Sequence, residues 1–379
     1  MIDLKTLEDD NVMQNLAKRG YFLPKEYFDL DRERKFLMLK IEEINHKINQ
    51  NKHTIEDKEN VKNLKKQLQE KEQQIHKITH MIPNVLHETV PVGKDEKDNQ
   101  ELKYFFNDKK IEKTCFYGDK AKEYGLDIET GVQLAQTRFN VMRGLLAKKQ
   151  RELINQALDF YGDLGYEECY VPNLVNEETI FGTGQYPKFQ EELFTTQGNQ
   201  KLYLIPTGEV PLTNIVKNKI LLEEEAEMKL MTHTPCFRKE AGAYGKDTRG
   251  IIRQHQFEKV ELVRTCLPEN GLKNFEEMVN DIEIFIKKLE IPFRIIELCA
   301  GDIGFAGHKA YDFEIWFPHE QKYREIATVT WCYDFQARRM NAKYKDKNNK
   351  KHYLHTLNGT GLAVGRVLAA MIENQKMNN

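Results

Sequence analysis

The sequence predicts an α+β protein: a largely antiparallel β-sheet flanked by helices and preceded by an antiparallel helical hairpin. Three observations carry that reading. Heptad-like apolar spacing runs from about residue 29 to 82. Beyond a linker marked by proline and glycine, strand-like segments outnumber helix-like ones and follow one another through short connections. Neither GxGxxG nor GxxxxGK[ST] occurs, so the two common nucleotide-binding loops are absent.

In the hairpin, Leu30, Leu37, Ile41, Ile44 and Ile48 form one stripe, and Val61, Leu64, Leu68, Ile75, Ile78 and Ile82 form a second. The polar, turn-forming stretch NQNKHTIEDKEN separates them, so two helices of about 20–26 residues, each about 30–40 Å long, should fold back on one another. Such a hairpin reads equally as a packing or dimerising element. The pattern stops at IPNVLHETVPVGKDEKDNQ, where Pro83, Pro91, Gly93 and a charge run mark a linker, giving domains 1–92 and 93–379. Residues Phe139 to Leu164 then read as an amphipathic helix, and YEECYVPNLVN as a strand broken by Pro172. Strands are expected at LYLIP, KLMTHTPCFRK, QFEKVELVR, FRIIELC, YDFEIWF and YREIATVTWC, and helices at Gly271–Leu289 and Gly361–Asn374.

At 379 residues, with 40% hydrophobic content, the chain has material for two or three domains and a sizeable core. Its net charge of −2 neither demands nor excludes a nucleic-acid partner, because a local basic patch is enough. No apolar run is long enough to cross a membrane, and the N-terminus lacks the layout of a signal peptide. Six cysteines at long spacings, without CxxC, suit reduced thiols, so a cytoplasmic protein with no membrane partner is expected.

The chemistry concentrates in PCFRKEAGAYGKDTRGIIRQHQFEKVELV, which carries Arg238, Arg249, Arg253 and Arg264 between two strands. Strand alternation places Cys236, Arg238 and Glu240 on one side, and likewise gathers Phe257, Lys259 and Glu261. A guanidinium can grip a phosphate through two hydrogen bonds, a carboxylate can accept an exocyclic amine, and an aromatic ring can stack on a base. Taken alone, the stretch also reads as a solvated arginine-rich loop. LNGTGLAVGRVLAAMIEN opens with small residues that permit close backbone approach, then becomes a helix whose lone cation, Arg366, suits an anion. YREIATVTWC supplies Glu325 and Thr328, oxygen donors of the kind hard cations prefer.

These blocks resemble the class II aminoacyl-tRNA synthetases, most closely the bacterial-type seryl-tRNA synthetases, over nearly the whole chain. FRKEAGAYGKDTRGIIRQHQFEKVE is similar to the second class motif, LNGTGLAVGR to the third, and GYEECYVPNLVN to the first, which in the family builds a homodimer interface. FGTGQYPKF, LIPTGEVPLTN and DFQARRMNAKY are also typical.

The resemblance implies ATP-dependent ligation of L-serine to tRNA(Ser) through a seryl-adenylate, assisted by Mg and without a covalent enzyme intermediate. It implies that Arg238, Arg366 and Glu325 carry catalysis. ATP would be held by Arg238 at the α-phosphate, Arg366 at the γ-phosphate, Arg253 near the β- and γ-phosphates, and Phe257 under adenine. Lys239, Glu240, Glu325, Ile326, Ala327 and Thr328 would complete that site, with Glu325 and Thr328 on Mg. Serine would meet Thr207, Gly208, Glu209, Arg238, Glu261 and Thr360. The helical arm would reach tRNA(Ser) by shape and backbone contact, through Lys58, Lys62, Lys65 and Lys66. The chain departs from the family pattern in a shorter arm, in Ala327, Val329 and Trp331 within ATVTWC, in Thr360 for a serine, and in Gly208 for an alanine.

Overall fold

The computed structural model describes residues 1–50, 55–241 and 250–377. The chain divides into two compact units, residues 1–83 and 84–379.

The first unit holds helices α1 (Asp10–Lys18), α2 (Lys25–Asn49) and α3 (Ile55–Thr79). Pro24 precedes the first turn of α2, where a missing N–H costs nothing. The two 25-residue helices pair along the expected seam: Leu37, Ile41, Val61 and Leu64 are buried against one another, with Ile44, Ile48 and Leu68 beside them. Lys71 bridges to Glu33 across the hairpin at 2.6 Å. Part of the anticipated turn, residues 51–54, lies outside the described residues, and α3 begins at Ile55, inside the stretch read as turn.

The second unit is built on an eight-stranded sheet. Its strands are β1 (Gln100–Phe105), β2 (Glu167–Glu168), β3 (Met228–Phe237), β4 (Gln256–Cys266), β5 (Phe293–Glu297), β6 (Lys309–Phe317), β7 (Lys322–Trp331) and β8 (His355–Ala363). The spatial order is β1-β5-β6-β7-β8-β4-β3-β2, antiparallel throughout except for the parallel β2–β3 pair. An antiparallel sheet needs only one covered face. Helices α4 (Gly144–Asp163), α5 (Gly271–Lys287) and α6 (Val364–Glu373) supply the cover. In α4 the buried positions Leu146, Leu153, Ile154, Ala157 and Tyr161 keep helical spacing and meet Val260, Leu262, Leu357 and Leu362 from the strands in one core.

Several boundaries differ from expectation. Residues 139–143 are not helical; Val141–Met142 form a short strand and α4 starts at Gly144. YEECYVPNLVN gives two two-residue strands, Glu167–Glu168 and Leu174–Val175, in different sheets. Residues Gly361 to Ala363, read as helix, finish β8 instead. Within the eight-stranded sheet, that strand and β1 are additions to the expected set.

Candidate active site

The face of the sheet opposite α4, α5 and α6 holds a cavity of about 670 Å³, with Glu209, Arg238, Lys259, Glu325, Thr360 and Arg366 on its walls. A narrow slot of about 70 Å³ opens beside it and shares Arg238, Glu240, Arg253, Glu325 and Arg366 while adding Phe257 and Ile326. A wider groove, about 1070 Å³, continues past Arg253 and Arg366 to Asp302, Asp312 and Glu314.

Strand β3 ends at Phe237, yet pairing runs one residue further: the Arg238 N–H donates to the His255 carbonyl at 3.0 Å. This pins the backbone of Arg238 while its side chain stands half-exposed. The Nε donates to the Pro206 carbonyl at 3.1 Å, and the guanidinium carbon lies 5.3 Å from the centre of the Phe257 ring. The expected alternation does not reach Glu240, whose φ of 52° turns the chain. Glu240 still faces the cavity, where it accepts a 3.0 Å bond from Arg253. Lys239 points elsewhere: its N–H meets the Glu192 carbonyl and its ammonium lies 5.8 Å above Phe194. Arg249 falls outside the described residues.

At the other end of the cavity, Thr207 donates to Glu261 Oε2 at 3.1 Å and accepts the Glu209 N–H at 3.1 Å. Glu209 receives the Gln336 amide at 2.7 Å. Burial, reinforced by the charge of Glu261, raises the Glu209 carboxyl to about 7. Thr360 sits directly opposite Glu261 in the β4–β8 ladder. Gly361 is then an extra residue, forming a bulge, and a β-carbon there would come within 2.8 Å of the Tyr161 ring. Gly208 lies behind the wall; a β-carbon on it would stand 2.7 Å from the Thr232 methyl. Glu261 is fully buried and lies on the wall of neither the cavity nor the slot, because Lys259 covers it through an ion pair.

Glu325 and Thr328 are three apart, a spacing that would send their side chains to opposite faces of a regular strand. The ladder corrects this. Phe313 pairs Ala327 but Glu314 pairs Glu325, so Ile326 is an extra residue in β7. Both oxygens therefore reach the cavity, while Ile326 and Ala327 are buried in the core on the helix side. Ala327 is on neither the cavity wall nor the slot wall. Arg366 makes a 3.0 Å ion pair with Glu325 and donates to its carbonyl at 2.9 Å. That guanidinium holds the Glu325 carboxyl below its usual range. Thr328 donates its proton to Asp312 at 2.6 Å, which leaves lone pairs for a ligand. An ionised carboxylate and a hydroxyl acceptor form an all-oxygen donor set, which fits Mg.

Three contributors escaped the sequence reading. Lys259 shares the parity of Phe257 and Glu261, a signal that could have found it. Asp312 and Gln336 reach the site only through long-range pairing, with partners 16 and 127 residues away. On α3, Lys58, Lys62, Lys65 and Lys66 are all exposed or half-exposed, away from the buried Val61 and Leu64.

A family model described as the tRNA synthetase class II core domain (G, H, P, S and T) matches residues 188–375. The chain is 43% identical over 399 residues to a protein of Saccharophagus degradans named serine–tRNA ligase, covering 99% of this chain and 94% of that one. A serine–tRNA ligase of Neisseria meningitidis serogroup B is 42% identical, with the same two coverages, 99% and 94%. Among solved structures, seryl-tRNA synthetase from Pyrococcus horikoshii complexed with ATP superposes with a TM-score of 0.91 at 29% identity, covering 99% of this chain and 94% of that chain. A cytoplasmic serine–tRNA ligase from Naegleria fowleri in complex with AMP gives 0.87 at 29% identity, covering 96% and 89%.

Proposed function

The chain belongs to the serine–tRNA ligase family of class II tRNA synthetases, and from that premise we propose how its site works: ATP activates L-serine as seryl-adenylate, and the seryl group passes to tRNA(Ser). The observation that carries this reading is the convergence of Arg238, Phe257, Glu325 and Arg366 on one cavity face beside the Thr207–Glu209 wall. Phe257 offers its ring to adenine. Arg238 takes the α-phosphate, Arg253 the β- and γ-phosphates, and Arg366 the γ-phosphate. Lys239 and Ala327, which face elsewhere, contribute backbone at most. Thr207, Glu209, Glu261 and Thr360 bind serine, with carboxylates for its ammonium and hydroxyls for its own hydroxyl; such a pocket rejects alanine strongly. Gly208 keeps that wall thin.

The serine carboxylate oxygen bonds to the α-phosphorus as the bond to pyrophosphate breaks, and the electron pair leaves with pyrophosphate. The terminal ribose hydroxyl of tRNA then attacks the acyl carbonyl and AMP departs. Neither step needs a protein nucleophile; orientation and charge stabilisation by the arginines suffice. Glu325 and Thr328 would hold Mg, which when bound neutralises phosphate charge.

The tRNA-binding role falls to the compact unit 1–83 and catalysis to 84–379, a boundary earlier than the expected 92/93 because Leu86 and Val90 pack with Ile296 and Leu298 of the second unit. Lys58, Lys62, Lys65 and Lys66 meet tRNA phosphates. A homodimer is supported by the first-motif segment, where Tyr170 is fully exposed and Leu174 is 44% exposed. Six unpaired cysteines support a cytoplasmic setting, and no described helix is long and apolar enough to cross a membrane. Serine-dependent ATP–pyrophosphate exchange, followed by charging of tRNA(Ser), tests the reading. Exchange with serine and not alanine or threonine is expected; absence of exchange would sink it, and exchange without charging would leave only the activation half.

A further inference from the structure

We propose that Lys259 is a catalytic residue brought into play by serine itself; this rests on the serine-activation reading above. The Lys259 ammonium is ion-paired with Glu261 Oε2, and the two side chains are 9% and 1% exposed. Lysine is rarely buried this deeply unless paired. Lys259 lies on the walls of both the large cavity and the slot, whereas Glu261 lies on neither. The second oxygen of Glu261, Oε1, is buried without a hydrogen-bond partner among the described residues. Thr207 fixes the first oxygen from the other side at 3.1 Å.

The carboxylate meant for an amino acid's ammonium is therefore capped by the protein's own ammonium. Serine reaches Glu261 by displacing Lys259, and one cation replaces another on the same anion. The buried carboxylate stays neutralised throughout, so the exchange avoids the large cost of an unpaired buried charge. The released lysine has a flexible four-carbon stem and stands where the serine cavity joins the slot. Its ammonium then faces the junction of serine carboxylate and α-phosphate. As the carboxylate oxygen bonds to phosphorus and the bond to pyrophosphate breaks, negative charge gathers on the non-bridging phosphate oxygens. A cation delivered there at that moment stabilises the transition state more than the ground state. Lys259 thus ties serine binding to activation: without serine it stays on Glu261, and ATP alone meets an incomplete site.

The test uses the full-length protein with Lys259→Met and Lys259→Gln. The expected result is a loss of at least about 100-fold in kcat for serine-dependent pyrophosphate exchange, with KM for serine unchanged or lowered, because the competing cation is gone. Transfer of serine from synthetic seryl-adenylate to tRNA(Ser) should stay within about fivefold of wild type, since that step follows activation. A structural counterion would behave differently: KM for serine would rise and transfer would fall alongside the loss in kcat. That pattern, loss of the folded state in both variants, or a kcat drop below about tenfold would each overturn the proposal. Wild-type protein run in parallel separates the two levels: no serine-dependent exchange there sinks the serine reading, whereas normal exchange there with unaffected variants sinks only the role of Lys259.

Discussion

Two arginines leave the same β3–β4 hairpin and meet opposite fates. Arg264 points to the helix side, where its side chain has no exposed surface. Its guanidinium is nearly saturated, by the Tyr166 hydroxyl at 2.9 Å, Asn274 at 3.2 Å, Glu277 at 2.8 Å and Asp281 at 2.7 Å. Arg238 points to the open face, and among the described residues the only hydrogen bond its guanidinium makes is from Nε. The remaining donors face the cavity. Residue type alone distinguishes neither fate. A guanidinium saturated within the protein is scaffold, and one left with donors facing a cavity is available to a substrate.

That contrast is sharpest under paired substitution. Arg264→Met should lower unfolding free energy by about 3–5 kcal/mol, because Asp281 and its neighbours lose their cation, and thermal or urea denaturation reads the loss. Arg238→Ala should leave denaturation close to wild type while reducing pyrophosphate exchange by at least about 1000-fold. Reversal of the two phenotypes would break the division between faces.

A pH profile probes the cavity face next. Burial lifts the Glu209 carboxyl to about 7, and only its ionised form attracts the serine ammonium. The kcat/KM for serine should therefore fall as pH drops below about 7, approaching tenfold per unit, and Glu209→Gln should flatten that limb at a lower plateau. For folding the sign is opposite. The folded state keeps a proton that the unfolded chain releases near 4.5, so the contribution of this carboxyl to stability is greatest below that pH and is lost as pH rises through about 7.

The smallest effect concerns fit. Gly208→Ala puts a methyl 2.7 Å from the Thr232 methyl and 3.2 Å from the Glu261 β-carbon. Overpacking of this kind costs about 1–3 kcal/mol and should appear as a raised KM for serine, and Thr232→Ser, which removes the opposing methyl, should restore it. Failure of the second change to rescue would place the strain elsewhere.

Much of this was legible in the chain. Strands β3 to β7 announce themselves through β-branched and aromatic runs, and the helical hairpin through its two stripes. Strand β8 did not, since HTLNGTGLA holds two glycines and an asparagine, residues with poor strand preference; only its neighbours in the sheet make it a strand. The bulges at Ile326 and Gly361 were equally hidden. Each shifts parity by one residue and so decides which side chains face the cavity, and nothing local announces an unpaired residue. Glu261 was placed on the right face, yet its cover by Lys259 depends on side-chain packing that parity does not report.

The central claim is that the open face of the sheet, around Arg238, Phe257 and Glu261, is where serine and adenylate meet. Calorimetric titration with a non-hydrolysable seryl-adenylate analogue, a seryl-sulfamoyl adenosine, tests it most directly. The account predicts one analogue bound per chain. It also predicts at least about 100-fold weaker binding by Arg238→Ala, because the substitution removes a charge-assisted hydrogen bond from a partly buried site. Binding that ignores Arg238, or no binding by the wild-type protein, would contradict it.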